Sequence, residues 1–85
     1  MRSLTNQGDK KMAKLTKAQK RAIEMLAIYT QDSTIELDTN GCTEKFYRQC
    51  WMCVEYRNEL GLKIPEYQRN AADRYEEIAE KRVAA

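Results

Sequence analysis

The chain has 85 residues, with 15 Lys and Arg against 13 Asp and Glu for a formal charge of +2. A length below that of an ordinary domain leaves room for one hydrophobic core and excludes a second independent one. The absence of histidine removes the commonest general base, proton shuttle and metal ligand.

No stretch approaches the ~20 apolar residues needed to span a bilayer, and Met1-Arg2-Ser3-Leu4 is not followed by the apolar region of a signal peptide. Cys42, Cys50 and Cys53 are odd in number, which suits a compartment that keeps thiols reduced. The expectation is a cytoplasmic protein without a membrane partner.

Residues 1–14 carry little that could be buried and are expected to form a flexible basic arm ahead of a single helical domain at 15–85. Charge is uneven along the chain. Arg2, Lys10, Lys11, Lys14, Lys17, Lys20 and Arg21 face only Asp9 within the first 21 residues, whereas the remainder is net acidic, so a basic arm and first helix join an acidic body.

Thr16 is a suitable N-cap and Gln19 can close a capping box. Ala18, Ala22, Met25, Leu26 and Tyr29 then recur at spacings of three and four, which predicts a helix over about 16–30 with Ile23 and Ala27 beside its inward stripe. The alternation in Thr34-Ile35-Glu36-Leu37-Asp38 breaks that period. With the Asn40-Gly41 turn signal after it, it predicts a short extended segment near 33–38.

Thr43 can cap a second helix over about 43–60, with Cys42 and Tyr47 as a hydrophobic staple and Gly61 at its exit. Phe46, Cys50, Cys53 and Val54 form its core stripe. Tyr47, Trp51, Met52 and Tyr56 spread apolar surface around the rest of it, as expected of a central helix or of one that offers a face to a partner. Pro65 suits the first turn of a third helix over about 65–83, whose inward face is Tyr67, Ala71, Tyr75, Ile78, Ala79 and Arg82, extended by Val83. The fold class expected is mainly α, a small three-helix bundle around the second helix.

The carboxylates are scattered and the glycines isolated, so neither an acid/base pair nor a phosphate loop is indicated. Cys50 and Cys53, with only Cys42 to join them, fall short of the four ligands of a closed zinc site. They begin several residues beyond the helix start that activates redox pairs. As small core residues they need no cofactor.

Two functional readings remain. The first is a small non-enzymatic regulatory or accessory protein, an adaptor or inhibitor of the viral type. It would bind an intracellular protein complex through Tyr47, Trp51, Met52 and Tyr56, residue types favoured in interface cores. The second is a DNA- or RNA-binding protein that lays Lys10, Lys11, Lys14, Lys17, Lys20 and Arg21 on phosphates. Its further support is a helix-turn-helix-like element over 53–80 carrying Arg69. That element departs from the pattern at Arg57, where a small residue normally allows close approach, and in its many acids, so a plain helical hairpin is the favoured form. A homodimer is compatible with both readings.

Overall fold

Thr16 starts the first helix as the capping box requires. Its hydroxyl accepts from the Gln19 amide at 3.0 Å, and the Gln19 side chain accepts from the Thr16 amide at 2.9 Å. The computed structural model describes residues 15–84; the expected flexible arm lies outside them. Three helices follow, α1 (Lys17–Asn40), α2 (Glu44–Leu60) and α3 (Glu66–Ala84). The molecule is a small, mainly α three-helix bundle, with no strand among the described residues.

The extended segment expected at 33–38 is corrected: these residues are the last turns of α1. Its period of three and four does continue, through Ala22, Leu26, Tyr29, Ser33 and Glu36. In the final turns, however, polar residues occupy the inward positions, and Ser33 and Glu36 are buried. The Ser33 and Thr34 hydroxyls both return to the Thr30 carbonyl, at 3.0 and 2.9 Å, which satisfies these residues within the helix. Ile35 and Leu37, which produced the alternation, are both exposed.

Gly41, with φ +81°, ends α1, and its amide bonds the Leu37 carbonyl at 3.0 Å. The Asn40-Gly41 signal therefore marks a helix exit. Thr43 then caps α2 through the Phe46 amide at 3.1 Å. At the far end Gly61 adopts a left-handed conformation, φ +72°. Its amide bonds Asn58 at 3.2 Å and that of Leu62 bonds Arg57 at 2.8 Å, the two bonds of a Schellman motif. Pro65 lies one residue before α3 and gives its carbonyl to the Gln68 and Arg69 amides, both at 3.1 Å.

α2 is the shared element. It packs against both α1 and α3, whereas α1 and α3 make no close backbone approach to each other. Both pairs are antiparallel. Tyr29 stacks on Tyr56 with centroids 6.2 Å apart, and Glu36 meets Thr43. On the other side Arg57 reaches Gln68 and Arg82 reaches Glu44 at 2.6 Å.

Contacts at both ends make α2 and α3 a full-length helical hairpin. A DNA-binding helix-turn-helix instead crosses its helices at roughly 90–120°. Arg57, the residue that did not fit that pattern, spans the turn: it donates to Gln68 Oε1 at 2.9 Å and to the Lys63 carbonyl at 3.1 Å.

The buried apolar residues are Ala22, Phe46, Cys50, Cys53, Ala71 and Ala72. Most are small, so the helices approach closely and half-buried aromatic rings cover the seams. Four residues depart from their expected places. Ala18 is exposed, Tyr67 is 52% exposed, Val83 is 88% exposed, and Arg82 lies outside the core as a surface partner of Glu44. Arg74 pairs with Glu77 at 3.3 Å within α3, and Arg82 pairs with Glu44 of α2. No helix among the described residues is long and apolar enough to cross a membrane.

Candidate protein-binding groove

Because α1 and α3 both lean on α2 without meeting, a groove of about 470 Å³ opens where α1 ends and α2 begins. Leu37 and Cys42 form one wall, Phe46 and Tyr47 rise from α2, and Tyr67, Asn70, Ala71 and Arg74 form the α3 wall. Phe46 is almost fully buried at the base and packs with Cys50 and Ala71, while Tyr47 tilts against its ring at 6.0 Å. Leu37 and Tyr67 stand exposed on opposite rims.

Arg74 is the ionised member of the lining. Glu77 and, after it, Tyr47 hold its guanidinium above the ordinary value by hydrogen bonding. Apart from Asn70, the Cys42 thiol and the Tyr47 and Tyr67 hydroxyls the lining is apolar, so the groove can take hydrophobic side chains while these polar groups and Arg74 orient what enters.

The four aromatic and methionine positions singled out on α2 divide among its faces. Tyr47 lines the groove. Trp51 turns to α3, with Tyr75 at 5.7 Å and its indole N–H donating to Glu76 at 3.1 Å. Tyr56 turns to α1 and stacks on Tyr29. Met52 is half-buried. Helices α1 and α3 thus already occupy the Trp51 and Tyr56 rings, and Tyr47 is the one the groove presents.

Leu37, Tyr67 and Arg74 were not singled out as partner-binding. The sequence pattern sets Leu37 in an extended segment and Tyr67 on an inward stripe, whereas Leu37 lies in the last turns of α1 and Tyr67 is exposed.

The three thiols are free. Cys50 packs toward α3 through Ala71, and Cys53 lies 3.7 Å from the Thr30 hydroxyl of α1. Burial, then the neighbouring Cys53 and Cys42, pushes the Cys50 thiol up to about 12. Burial also raises Cys53, against a smaller opposing pull from Thr30 and Arg57. Both thiols are therefore held protonated, the unreactive form. No group of three potential ligands could hold a metal ion among the described residues.

The acids with displaced titration have structural partners. Glu36 is lowered chiefly by the Thr43 hydroxyl and then by the Asn40 amide. Glu44 is lowered chiefly by Arg82.

Of the basic residues, Lys10, Lys11 and Lys14 lie outside the described residues. Lys17, Lys20 and Arg21 are exposed in the first turns of α1, and Arg69 is exposed near the start of α3. The antiparallel packing brings these two helix starts to the same end of the bundle, with Lys63 in the turn between α2 and α3, and Arg69 lies between the groove residues Tyr67 and Asn70. Comparison with protein-family models, with characterised proteins and with solved structures finds no match for this chain.

Proposed function

We propose that this chain is a non-enzymatic accessory protein that docks on a larger protein by taking apolar side chains of that partner into the Leu37–Tyr47–Tyr67 groove. The observation that carries this reading is the groove itself: a mostly apolar, open cleft with exposed rims and with Asn70 and Arg74 on its α3 wall. Its volume lies within the roughly 300–1,000 Å³ of ligand clefts. Its open form suits a segment presented by another chain, as in helix-in-groove recognition. A chain without histidine, whose two buried thiols are held protonated, offers little for catalysis, which supports a binding role as adaptor or inhibitor.

The test compares proteins captured from cell lysate on immobilised wild type and on a Leu37→Asp/Tyr67→Ala variant, after nuclease treatment, with circular dichroism to confirm that both are folded. The expected result is a discrete protein partner held by the wild type and lost from the variant. Equal recovery on both would remove the groove from the interaction.

A second reading, nucleic-acid binding, is favoured by one observation: Lys17, Lys20 and Arg21 stand exposed in the first turns of α1, which antiparallel packing sets at the same end of the bundle as the turn that carries Lys63. Anisotropy titration with duplex and single-stranded oligonucleotides would then show affinity falling steeply with salt. Salt-insensitive or absent binding would discard this reading.

A further inference from the structure

α1 carries a second surface, on the side turned away from α2. At 3.6 residues per turn, the inward line through Ala22, Leu26, Tyr29, Ser33 and Glu36 puts Gln31 directly opposite, with Lys17, Ile28 and Ile35 about 40–60° round from it and clear of α2. Lys20, Arg21, Glu24, Gln31, Asp32 and Asp38 border them. Ile28 is 50% and Ile35 54% exposed, and the bordering residues are exposed as well. No ion pair among the described residues involves Lys17, Lys20, Arg21, Asp32 or Asp38. A lone surface isoleucine needs no explanation. Two of them seven residues apart, with Lys17, Lys20 and Arg21 outnumbering Glu24 toward one end and Asp32 and Asp38 at the other, form an ordered pattern.

That pattern complements itself. Lys20 and Asp38 are five helical turns apart and so lie on one line along the helix. A two-fold axis beside α1, perpendicular to it at the level of Tyr29, sets Lys20 of each copy opposite Asp38 of the other. It also brings Arg21 toward the second copy's Asp32 and places the two Ile28 side chains at nearly the same height.

Parallel pairing would oppose Lys20 to Lys20 and Asp38 to Asp38, which like-charge repulsion penalises. Charge therefore selects the antiparallel arrangement, the isologous form that closes with two copies. Neither α2 nor α3 reaches this side of α1, and the docking groove on the other flank stays open.

We infer that the outer face of α1 is a self-association surface on which a second copy of this chain docks antiparallel. Ile28 and Ile35 form its apolar centre, and Lys20 and Arg21 pair with Asp38 and Asp32 across it. The inference does not depend on the proposed role of the groove.

Light scattering and sedimentation velocity on the full chain, up to about 1 mM where even weak association registers, test it. The wild type is expected to move from one to two chain masses as concentration rises, and Ile28→Asp/Ile35→Asp to stay at one. The charge variants Lys20→Glu/Arg21→Glu and Asp32→Lys/Asp38→Lys are each expected to remain monomeric alone and to form a two-chain species when mixed.

All of these substitutions are at exposed positions, and circular dichroism confirms that each variant is folded. A wild type that stays monomeric throughout would overturn the inference, as would charge variants that dimerise alone or fail to do so when mixed. The Leu37→Asp/Tyr67→Ala groove variant is expected to dimerise like wild type. A dimer lost in that variant would overturn the inference by placing association at the groove.

Discussion

The Thr43 hydroxyl joins two helices: it donates to Glu36 Oε2 at 2.7 Å and accepts from the Phe46 amide at 3.1 Å. One side chain therefore caps α2 and ties it to the last turn of α1. Glu36 also takes the Asn40 amide at 3.1 Å, with Lys45 at 4.0 Å beyond.

Thr43→Ala is expected to cost about 1 kcal/mol for the cap alone, with the lost bond to Glu36 adding to it. Thr43→Ser should restore most of the loss. Urea denaturation of the three proteins measures both, and equal midpoints would show that the hydroxyl is idle.

The same junction sets an acid limit. Thr43, then Asn40, lowers Glu36 from its ordinary 4.5, and Arg82 lowers Glu44 in the same direction. A depressed folded-state value means that the unfolded chain takes up the proton first as pH falls. The stabilisation is thus complete above about 4.5 and is lost as pH drops through the lower folded values. The stability gap between wild type and Thr43→Ala is expected to be wide at pH 6 and to narrow below pH 4.5. A gap independent of pH would contradict the role given to the Glu36 anion.

Arg57 and Gln68 make the corresponding tie at the other end. Gln68 is fully buried and its Oε1 is satisfied by the Arg57 guanidinium. Arg57→Ala strands that oxygen, at an expected cost of about 2 kcal/mol. Adding Gln68→Leu should recover part of the loss by removing the stranded group. A double-mutant cycle measures the coupling, and strict additivity would mean that the contact contributes nothing.

Gln49 has the opposite expectation. It is buried, and its Oε1 has no hydrogen-bond partner, a state that costs roughly 1–3 kcal/mol. Gln49→Met keeps the length and removes the orphan oxygen, and should raise the thermal midpoint by several degrees. A lower midpoint would show that the amide does more than its bonds reveal.

The cysteines should separate cleanly under a thiol-specific chromogenic reagent. Native protein is expected to release one rapid equivalent, from exposed Cys42, while Cys50 and Cys53 react on unfolding. Because burial raises both buried thiols, the unfolded chain loses these protons first as pH rises. The protection they give is complete below about 9, their ordinary value, and fades as pH rises toward the folded value of about 12 for Cys50. Cys50→Ala should therefore flatten the alkaline branch of the stability curve.

Much of this architecture could be read from the chain because its signals are local. Thr16 with Gln19, Thr43, Gly61 and Pro65 mark helix ends through their own hydrogen-bonding and torsional preferences, and each acts within a few residues of its position. The last turns of α1 were not legible for a specific reason. Their inward positions are Ser33 and Glu36, whose burial depends on Thr43 and on α2, and no apolar count registers such partners.

The candidate groove was legible only through Tyr47. The rest of it comes from the ends of separate helices, and Leu37 and Tyr67 become neighbours only once both outer helices lean on α2. Trp51 and Tyr56 are prominent in the sequence for their size, but the rings opposite them, Tyr75 and Tyr29, determine where they point.

The arrangement of two outer helices on one shared helix also governs how the molecule opens. If α1 detaches, the α2–α3 hairpin keeps its own contacts, and if α3 detaches, so does α1–α2. Amide protons of α1 and α3 can thus exchange with solvent through separate partial openings, while those of α2 are exposed only when both neighbours have left. Native-state hydrogen exchange should therefore rank α2 slowest, with the middle of the chain outlasting both flanks. Nearly all packing links adjacent segments of sequence, so the loops closed on folding are short and assembly should be fast.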